Sequence, residues 1–432
     1  MAKQSAVSPL SNHGSAFDCP PLHADAVHRL KAIARQTVLD VIHHTRLQGH
    51  SIPWQPQSSD NGVLIYSGVD RTAPAGVTSW LSVSTIPATI DDVASMFYSA
   101  NTREYQQYLN SIQTSFKDGT RLYTLERPKP HNPRHYVGVN WALQTSPLAG
   151  IGVKPRDYTF VEMQVDTVIE GARAWVHAAT SVDLTTCPPL ATSHGIVRAH
   201  LHRLGYVFTE IDGQPNQLRV IQLMQVDPRG KLSDYVLRKV MHKRLGSLAD
   251  RLNTALRSHR LSRSAFIPEA DLVPRAARQH CHLCKKTFGL LATKGRCRKC
   301  GEVICRSCSK VWDVVDGGLP TKRRVCTVCC LHVPHFHSPH VSTATTTPSA
   351  DDAAERSVFI LDDEDEDFSD AGETLVNADT HNVYRPQCLE GRVCANGVVT
   401  TPKEIPQWWF PLPDTSFDSS PSDDQGSTVM LG

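Results

Sequence analysis

The sequence lacks the features that mark membrane-spanning or secreted proteins. No stretch approaches the ~18 consecutive apolar residues that a membrane-spanning helix requires, so we expect no such helix. Residues 1–20 contain one lysine and no apolar segment, so we expect no secretory signal. Charged residues make up only 20% of the chain and the net charge is +2, so overall charge identifies no partner. These absences predict a cytoplasmic protein.

The composition changes along the 432 residues, and at ~100–200 residues per domain the length predicts two or three domains. The polar N-terminus and a C-terminal region low in apolar residues are predicted to be disordered. The predicted segments are a disordered N-terminus at 1–20, a globular domain at 21–258, a linker at 259–280, a cysteine-rich unit at 281–330 and a disordered acidic tail at 331–432.

Eight of the thirteen cysteines form four Cys-x-x-Cys pairs in a short segment. These are Cys281, Cys284, Cys297, Cys300, Cys305, Cys308, Cys326 and Cys329. In a reducing compartment such clustering indicates metal binding rather than disulfides. Four thiolates complete a tetrahedral Zn²⁺ site and leave no position for water. The sequence therefore predicts two structural Zn²⁺ ions and no active site in this segment.

Two ligand groupings are compatible with the spacing of the cysteines. In a sequential grouping the first four cysteines hold one ion and the last four hold the other. In an interleaved grouping, one ion is held by Cys281, Cys284, Cys305 and Cys308 and the other by Cys297, Cys300, Cys326 and Cys329. Spacing alone does not choose between them.

Residues 21–258 combine helical and strand-like patterns. Helical spacing of apolar residues predicts helices over Ala26–Leu47, from Thr89 onward with a capping box to Asp92, and over Ser233–Arg257. Strand-like runs are predicted at Gly62–Val69, Val77–Thr85, Arg121–Glu126, His135–Leu143, Tyr158–Val165, Ala172–Val182, Val197–Ile211 and Gln217–Val226. Turn-rich connections between these runs favour antiparallel neighbours.

Two segments in this region resemble those of the START (lipid-transfer) domain. They are Pro155–Val161 and Val226–Leu232, which leads into the last predicted helix. The resemblance, over about residues 21–258, implies an α+β helix-grip fold, with a curved antiparallel sheet around a long C-terminal helix. It also implies an apolar tunnel that holds a hydrophobic lipid. Arg156 and Asp157 are candidates for a lipid-headgroup site or for a structural charge pair, and we favour the charge pair. We interpret the scattered histidines of the strands as structural or surface residues.

The cysteine-rich unit resembles a FYVE zinc finger. The residues that carry the resemblance are the segments CHLCKKTF, GRCRKCGEVICRSCS and RRVCTVC, which include all eight cysteines. FYVE fingers use the interleaved, cross-braced arrangement and bind phosphatidylinositol 3-phosphate on endosomes. An apolar loop enters the bilayer and a basic strand holds the phosphates.

The resemblance assigns roles to individual residues of the finger. It implies headgroup contacts by Lys294, Arg296, Arg298 and Arg324, and membrane insertion by Leu290 and Leu291. The chain departs from the family pattern at three places. Thr293 replaces an arginine, Gly295-Arg296 replace two histidines, and the upstream W-x-x-D element is absent, with Leu272 and Arg275 at its positions.

Electrostatics favours a membrane partner for the finger. Residues 275–330 hold thirteen Lys and Arg against three acids, and eight thiolates with two Zn²⁺ ions reduce the net charge to about +6. Anionic lipid attracts such a patch. An inserted Leu-Leu tip adds a second anchor.

The sequence predicts a non-enzymatic, peripheral protein of endosomal or other intracellular membranes that binds an anionic lipid, a phosphoinositide. A protein-interaction scaffold and a RING-like ubiquitin ligase are the alternatives. Nucleic acid is disfavoured, because the finger offers no aromatic series for stacking bases and no helix long enough to enter a groove. In the tail, the acidic run at 362–367 is predicted to be solvated, and the alternative is that it folds back on the basic finger and weakens its membrane binding. Trp408-Trp409-Phe410 is a candidate docking motif for protein partners.

Overall fold

The computed structural model describes residues 17–47, 52–60, 62–112, 115–146, 153–230, 232–289 and 292–331. The predictions of disorder at most of residues 1–20 and in the tail, the acidic run and Trp408–Phe410 lie outside the described residues.

The described part of the chain contains seven α-helices and fourteen strands. The helices are α1 (Ala24–His44), α2 (Ile90–Phe97), α3 (Thr102–Ile112), α4 (Ala191–His194), α5 (Asp234–Gly246), α6 (Leu248–Arg263) and α7 (Thr327–Leu331). The strands are β1 (Gln55–Asp60), β2 (Val63–Val69), β3 (Thr78–Ile86), β4 (Phe116–Glu126), β5 (Tyr136–Gln144), β6 (Arg156–Ile169), β7 (Ala172–Ser181), β8 (Val197–Arg198), β9 (His200–Ile211), β10 (Gln214–Asp227), β11 (Gly295–Arg296), β12 (Val303–Ile304), β13 (Ser309–Asp316) and β14 (Leu319–Cys326).

Ten of these strands form one sheet in the order β1-β2-β3-β10-β9-β7-β6-β5-β4. All neighbours along this path are antiparallel, and β8 adds to β6 in parallel. The pairing of β3 with β10 joins the first three strands of the sheet to its last strand in the chain. The predicted large antiparallel sheet is therefore confirmed.

Side chains that alternate along the central strands enter two different cores. On β7, Val176 packs in the cluster that contains α1, whereas Trp175 packs with Phe208 in the cluster that contains α2 and α6. Both faces of the sheet are thus covered by helices. This explains why the sequences of β5 and β6 are buried almost throughout instead of alternating between core and solvent.

The predicted capping box of α2 is present. The Thr89 side chain accepts from the Asp92 amide and the Asp92 carboxylate accepts from the Thr89 amide, at 3.1 and 3.0 Å. Asp92 also forms an ion pair with Arg260 of α6 at 2.8 Å. One carboxylate therefore caps the N-terminus of α2 and joins that helix to the C-terminal helix.

The predicted single C-terminal helix is two helices, α5 and α6, which meet at Ser247. At the break, Arg251 donates to the carbonyl of Arg244 at 2.9 Å and to the Ser247 hydroxyl at 3.2 Å. The side chain of Arg251 thus donates to a carbonyl oxygen that would accept a backbone hydrogen bond in a continuous helix. The leucine spacing showed the amphipathic face but carried no signal for this interruption.

The cysteine-rich unit consists of the two hairpins β11–β12 and β13–β14, followed by α7. Leu261 of α6 is buried in the same cluster as Trp312, Val314 and Val325 of the second hairpin. The Val315 amide donates to Ser262 at 2.9 Å, and Ser258 donates to the Asp313 carbonyl. The last helix of the first domain is therefore also a packing surface for the finger.

Candidate metal centres and lipid-binding sites

The eight cysteines form two groups in the folded chain. The Sγ atoms of Cys281, Cys284, Cys305 and Cys308 lie within 4.8 Å of one another, as do those of Cys297, Cys300, Cys326 and Cys329. The grouping is interleaved. The two middle Cys-x-x-Cys pairs therefore belong to different sites, which ties the two hairpins together.

The geometry of these groups fits Zn²⁺. Ligands at ~2.3 Å from a tetrahedral Zn²⁺ have sulfurs about 3.8 Å apart. The Sγ atoms of Cys284 and Cys305 are 3.7 Å apart, and none of the described cysteines is in a disulfide.

Backbone amides add to the thiolate sites. The amide of Cys305 donates to Cys281 Sγ, and the amide of Cys326 donates to Cys297 Sγ, both at 3.3 Å. Such donors stabilise negatively charged sulfur, so the chain is arranged around thiolates. When bound, zinc would crosslink the hairpins and supply most of the folding free energy of this small unit.

The two predicted headgroup arginines of the basic strand converge on one carboxylate. Arg298 Nη1 lies 2.5 Å from Glu269 Oε2, and Arg296 pairs with the other oxygen of the same residue. Both arginines are less than one fifth exposed, whereas Glu269 is 64% exposed. The guanidinium groups thus hold an anionic group at the surface of the finger.

Arg324 and Lys294 lie beside this pair with different partners. A Cβ atom at Gly295 would approach Arg324 Cδ to 2.5 Å, so the absence of a side chain at Gly295 lets Arg324 cross strand β11. Arg324 then donates to Ser309 at 3.0 Å. Lys294 donates to the carbonyls of Arg275 and Arg278, at 3.3 and 2.9 Å.

Leu290 and Leu291, the predicted insertion residues, lie outside the described residues. The described chain on either side of them, Gly289 and Ala292, is joined by an amide-to-carbonyl hydrogen bond of 3.0 Å.

The segment before the finger carries Glu269 and is held against the finger by its backbone. The Ile267 amide donates to Arg298 O at 2.8 Å, and the Val273 amide donates to Gly301 O at 3.1 Å. Leu272, at a position where the family has the tryptophan of W-x-x-D, is buried. Sequence reasoning missed Glu269, since a single acid in a polar linker carries no distinguishing signal.

The first domain contains a cavity of about 110 Å³ between the sheet and α5. Its walls are largely apolar and aromatic, and they include Tyr158, Phe160, Leu204, Met224 and Met241. The partly exposed residues Pro228, Leu232 and Val236 lie at its rim.

A polar cluster closes the inner end of the cavity. His177 Nε2 and Glu162 Oε2 are 2.8 Å apart, and both side chains are about 5% exposed or less. Burial alone would raise the pKa of Glu162, but the hydrogen bond and charge of His177 and the charge of Arg121 outweigh it and lower that pKa. Arg121 lies 4.0 Å from Glu162 and over the ring of Tyr136.

Tyr105 and His177 belong to the residues that line this cavity, and Tyr105 Oη and His177 Nδ1 have no hydrogen-bond partner among the described residues. Buried polar atoms without partners are uncommon in folded proteins and often mark sites for a ligand or water. Sequence reasoning interpreted His177 as structural or surface. The usable signal was its position on the same sheet face as Glu162 of the neighbouring strand.

Asp157 and Arg156 have structural contacts but do not pair with each other. Asp157 accepts from Trp141 Nε1 and Arg198 Nη2, both at 2.9 Å. Arg156 donates to the carbonyls of Lys154, Pro228 and Arg229 and closes one corner of the cavity.

This arrangement defines a helix-grip domain with an internal cavity, joined to a cross-braced two-zinc finger. The family model of the START domain matches residues 141–262, and the family model of the FYVE zinc finger matches residues 271–335. The chain therefore contains a START domain followed by a FYVE zinc finger. START domains bind lipids and FYVE fingers bind phosphoinositides, so the two matches support a lipid- and membrane-binding role.

Similar proteins are distant. Among curated proteins, the probable inactive serine/threonine-protein kinase slob1 of Dictyostelium discoideum is 30% identical over 70 residues, which are 16% of this chain and 12% of that protein. Among solved structures, human StAR-related lipid transfer protein 5 is 15% identical, with 53% of this chain and 97% of that chain covered and a TM-score of 0.42. Human STARD10 is 14% identical, with 56% and 82% covered and a TM-score of 0.36.

None of the described helices is long and apolar enough to cross a membrane.

Proposed function

We propose that this protein is a non-enzymatic peripheral membrane protein of endosomal or other intracellular membranes. Its FYVE finger docks on anionic, phosphoinositide-containing membrane, and its START domain holds a hydrophobic lipid. The observation that carries the proposal is the pair Arg296 and Arg298, whose guanidinium groups already grip a carboxylate at the finger surface.

A phosphate monoester suits the same two arginines. Guanidinium groups bind carboxylate and phosphate through the same forked hydrogen bonds, and phosphate carries more charge. Arg324 of β14 crosses strand β11 at Gly295 and adds a further positive charge. Lys294 contributes charge from where it holds the carbonyls of the preceding segment.

Apolar insertion would supply the second anchor. We infer that Leu290 and Leu291 enter the bilayer beside the basic strand. An apolar tip and a basic patch together hold a membrane better than either alone.

The cavity of the first domain supports the lipid-holding role. Its apolar walls suit a hydrocarbon chain or ring system, and Tyr105 Oη and His177 Nδ1 would pair with a neutral polar group such as a hydroxyl. The buried charges of Arg121 and Glu162 compensate each other, which disfavours entry of a further charged group. A cavity of about 110 Å³ is smaller than the ~150 Å³ site that accommodates benzene, so a whole lipid requires outward movement of α5.

Liposome sedimentation of the full chain tests the finger. Vesicles with and without phosphatidylinositol 3-phosphate are compared for wild type and the double variant Arg296→Ala/Arg298→Ala. The matched control is Lys322→Ala/Arg323→Ala, which removes the same charge from β14, where both side chains pair with aspartates of β13. We expect the first variant to lose at least tenfold in affinity for phosphoinositide vesicles, and the control to lose much less. Equal losses would show that only total charge matters.

Native mass spectrometry of the full chain tests the cavity. We expect a co-purified lipid, with reduced occupancy in Tyr105→Phe, which removes only the unpartnered hydroxyl. Unchanged occupancy in that variant would contradict the assigned polar contact.

A protein-interaction scaffold is the second candidate, because Leu319 of the β13–β14 hairpin and Leu331 of α7 are each 64% exposed. The FYVE match of the cysteine-rich segment favours membrane docking over this scaffold and over a RING-like ubiquitin ligase.

A further inference from the structure

Helix α7 presents an apolar stripe at the end of the described chain. Val328 and Leu331 are three residues apart, so they lie on one side of the helix, and they are 46% and 64% exposed. Cys330 of the same helix is buried in the cluster that contains Leu261 of α6, so α7 lies where the finger meets the first domain. Exposed apolar residues that adjoin one another are candidates for a contact surface.

Two basic side chains border this stripe. Lys310 of β13 is opposite Val325 of β14, the strand that leads directly into α7. Arg257 of α6 lies one turn before Leu261 on the same side of that helix. Burial raises the pKa of the Cys330 thiol, and the charges of Arg257 and Lys310 oppose that shift, so both side chains lie near α7.

Within the described ranges, neither of these two charges forms an ion pair with a carboxylate. The ammonium of Lys310 lies over the ring of Trp312, 4.5 Å from its centre. The apolar and basic side chains together form the α7 surface, which consists of Val328, Leu331, Arg257 and Lys310. An occupant that fits this surface has apolar and negative groups side by side.

The chain itself carries such a sequence. The described part ends at Leu331, on the α7 surface, and residues 332–432 follow it. Among them, the apolar run at 358–361 (VFIL) is followed at once by acids at 362–364. At up to ~3.4 Å per residue, the intervening chain is long enough to bring this segment back to α7. A tethered segment has an effective concentration on the order of millimolar, an advantage that a separate partner lacks.

We propose that residues 358–364 dock on the α7 surface of the same chain. Their apolar side chains cover Val328 and Leu331, and their acids pair with Arg257 and Lys310. This contact gives the predicted fold-back of the acidic run a defined place, at the junction of the finger with α6. It does not depend on lipid binding by the basic strand or by the cavity.

Hydrogen exchange of the full chain tests the occupant. Wild type is compared with the tail variant Phe359→Ser/Ile360→Ser/Leu361→Ser. The matched control is Trp408→Ser/Trp409→Ser/Phe410→Ser, which removes three apolar residues that have no acid beside them. We expect the amides of residues 328–331 to exchange at least about fivefold faster in the tail variant than in wild type and in the control.

A second pair of variants tests the surface. The surface variant is Arg257→Gln/Lys310→Gln, and its control is Lys285→Gln/Lys286→Gln, which removes two exposed lysines from elsewhere in the finger. We expect faster exchange of residues 358–361 in the surface variant and wild-type exchange in its control. Circular dichroism and zinc content show that each variant is folded.

Carbodiimide crosslinking identifies the paired groups, since it joins a lysine amine to a carboxylate as an amide. We expect wild type to link Lys310 to a carboxylate of residues 362–364, as mapped by mass spectrometry. In a mixture of isotope-labelled and unlabelled protein, these links should form only within one copy.

Four outcomes overturn the proposal. The first is equal exchange of residues 328–331 in wild type and the tail variant, which would leave the surface to a membrane or another protein. The second is faster exchange in the control at 408–410 instead, which would make a different segment the occupant. The third is equal behaviour of the surface variant and its control. The fourth is crosslinks between labelled and unlabelled protein, which would make a second copy the occupant.

Discussion

In the proposed docking role, Glu269 competes with a lipid headgroup for the arginines of the basic strand. Its carboxylate is held by Arg296 and Arg298, so a phosphate must displace it before the same guanidinium groups can bind a headgroup. Because Glu269 is 64% exposed, water screens the pair and the displacement is inexpensive. The result is a ready-made anion site with a weak internal occupant.

Replacing Glu269 should therefore strengthen membrane binding. We expect Glu269→Gln to raise affinity for phosphoinositide vesicles about two- to fivefold, in line with an exposed ion pair. Asp271→Asn is the control, since it removes the same charge from the same 3₁₀ turn (Glu269–Asp271). Sedimentation over a range of lipid concentrations measures both. Equal gains would show a general charge effect instead of release of the arginines.

The buried pair Glu162–His177 makes a different prediction. Removing one partner of a buried pair leaves the other polar group uncompensated. We expect Glu162→Gln to lower the free energy of unfolding by about 2–4 kcal/mol. Glu210→Gln, from the exposed pair with Arg173, should change it by less than about 0.5 kcal/mol. Urea denaturation gives both values. Similar values for the two variants would contradict the claim that Glu162 and His177 compensate each other as a buried pair.

Single residues differed in how far the sequence revealed them. Eight cysteines in four closely spaced pairs indicate metal binding from the sequence alone. The family resemblance supplied the interleaved grouping that the fold displays. Glu269 was missed, and the buried contact of His177 with Glu162 was not predicted, because each depends on a partner that folding brings from another part of the chain.

At the scale of elements, helices α2 and α6 are joined by two polar contacts. Arg260 pairs with Asp92, and His259 Nε2 lies 3.1 Å from Ser95 Oγ. Burial, reinforced by the charge of Arg263, lowers the pKa of His259 to about 4. The folded protein therefore binds fewer protons than the unfolded chain between about pH 4 and 6.5.

This contact predicts acid sensitivity. Stability from His259 is complete above about pH 6.5 and is lost as the pH falls toward 4, by at most about 2 kcal/mol at pH 5. We expect His259→Gln to lose less stability than wild type between pH 7 and pH 5. Urea midpoints at the two pH values measure the difference. Parallel loss in both proteins would show that other groups cause the effect.

Elements with strong local patterns were predictable from sequence. The strand predicted at Val77–Thr85 is β3 (Thr78–Ile86), and the helix predicted from Thr89 is α2 with its capping box. Helix α3 was missed, since polar residues fill most of its sequence between three buried positions. The break at Ser247 was also missed, because it depends on Arg251 reaching back to a carbonyl.

At the scale of the whole molecule, zinc removal should affect the two domains unequally. We expect about two zinc ions per chain by elemental analysis, and at most about one in Cys297→Ser, which removes a buried ligand of one tetrad. Cys187→Ser, a buried cysteine of the START domain, should keep both ions. Chelation should abolish vesicle binding by the finger while most of the sheet signal in circular dichroism remains. Loss of both together would show that the START domain cannot stay folded without the finger.

The contact of Lys299 with the end of α6 has a consequence for the order of assembly. Lys299 Nζ donates to the carbonyls of Leu261, Ser264 and Ala265 at 3.0, 2.6 and 3.0 Å, so it adds a charged donor to the carbonyls at the C-terminal end of α6 and just beyond it. The START domain is synthesised before this lysine. Lys299 lies in the sequence between two thiolate ligands, Cys297 and Cys300. The contacts at the C-terminal end of α6 therefore form only after the finger has been synthesised and has bound its metal. During synthesis without zinc, we expect the START domain to fold with the end of α6 lacking these contacts.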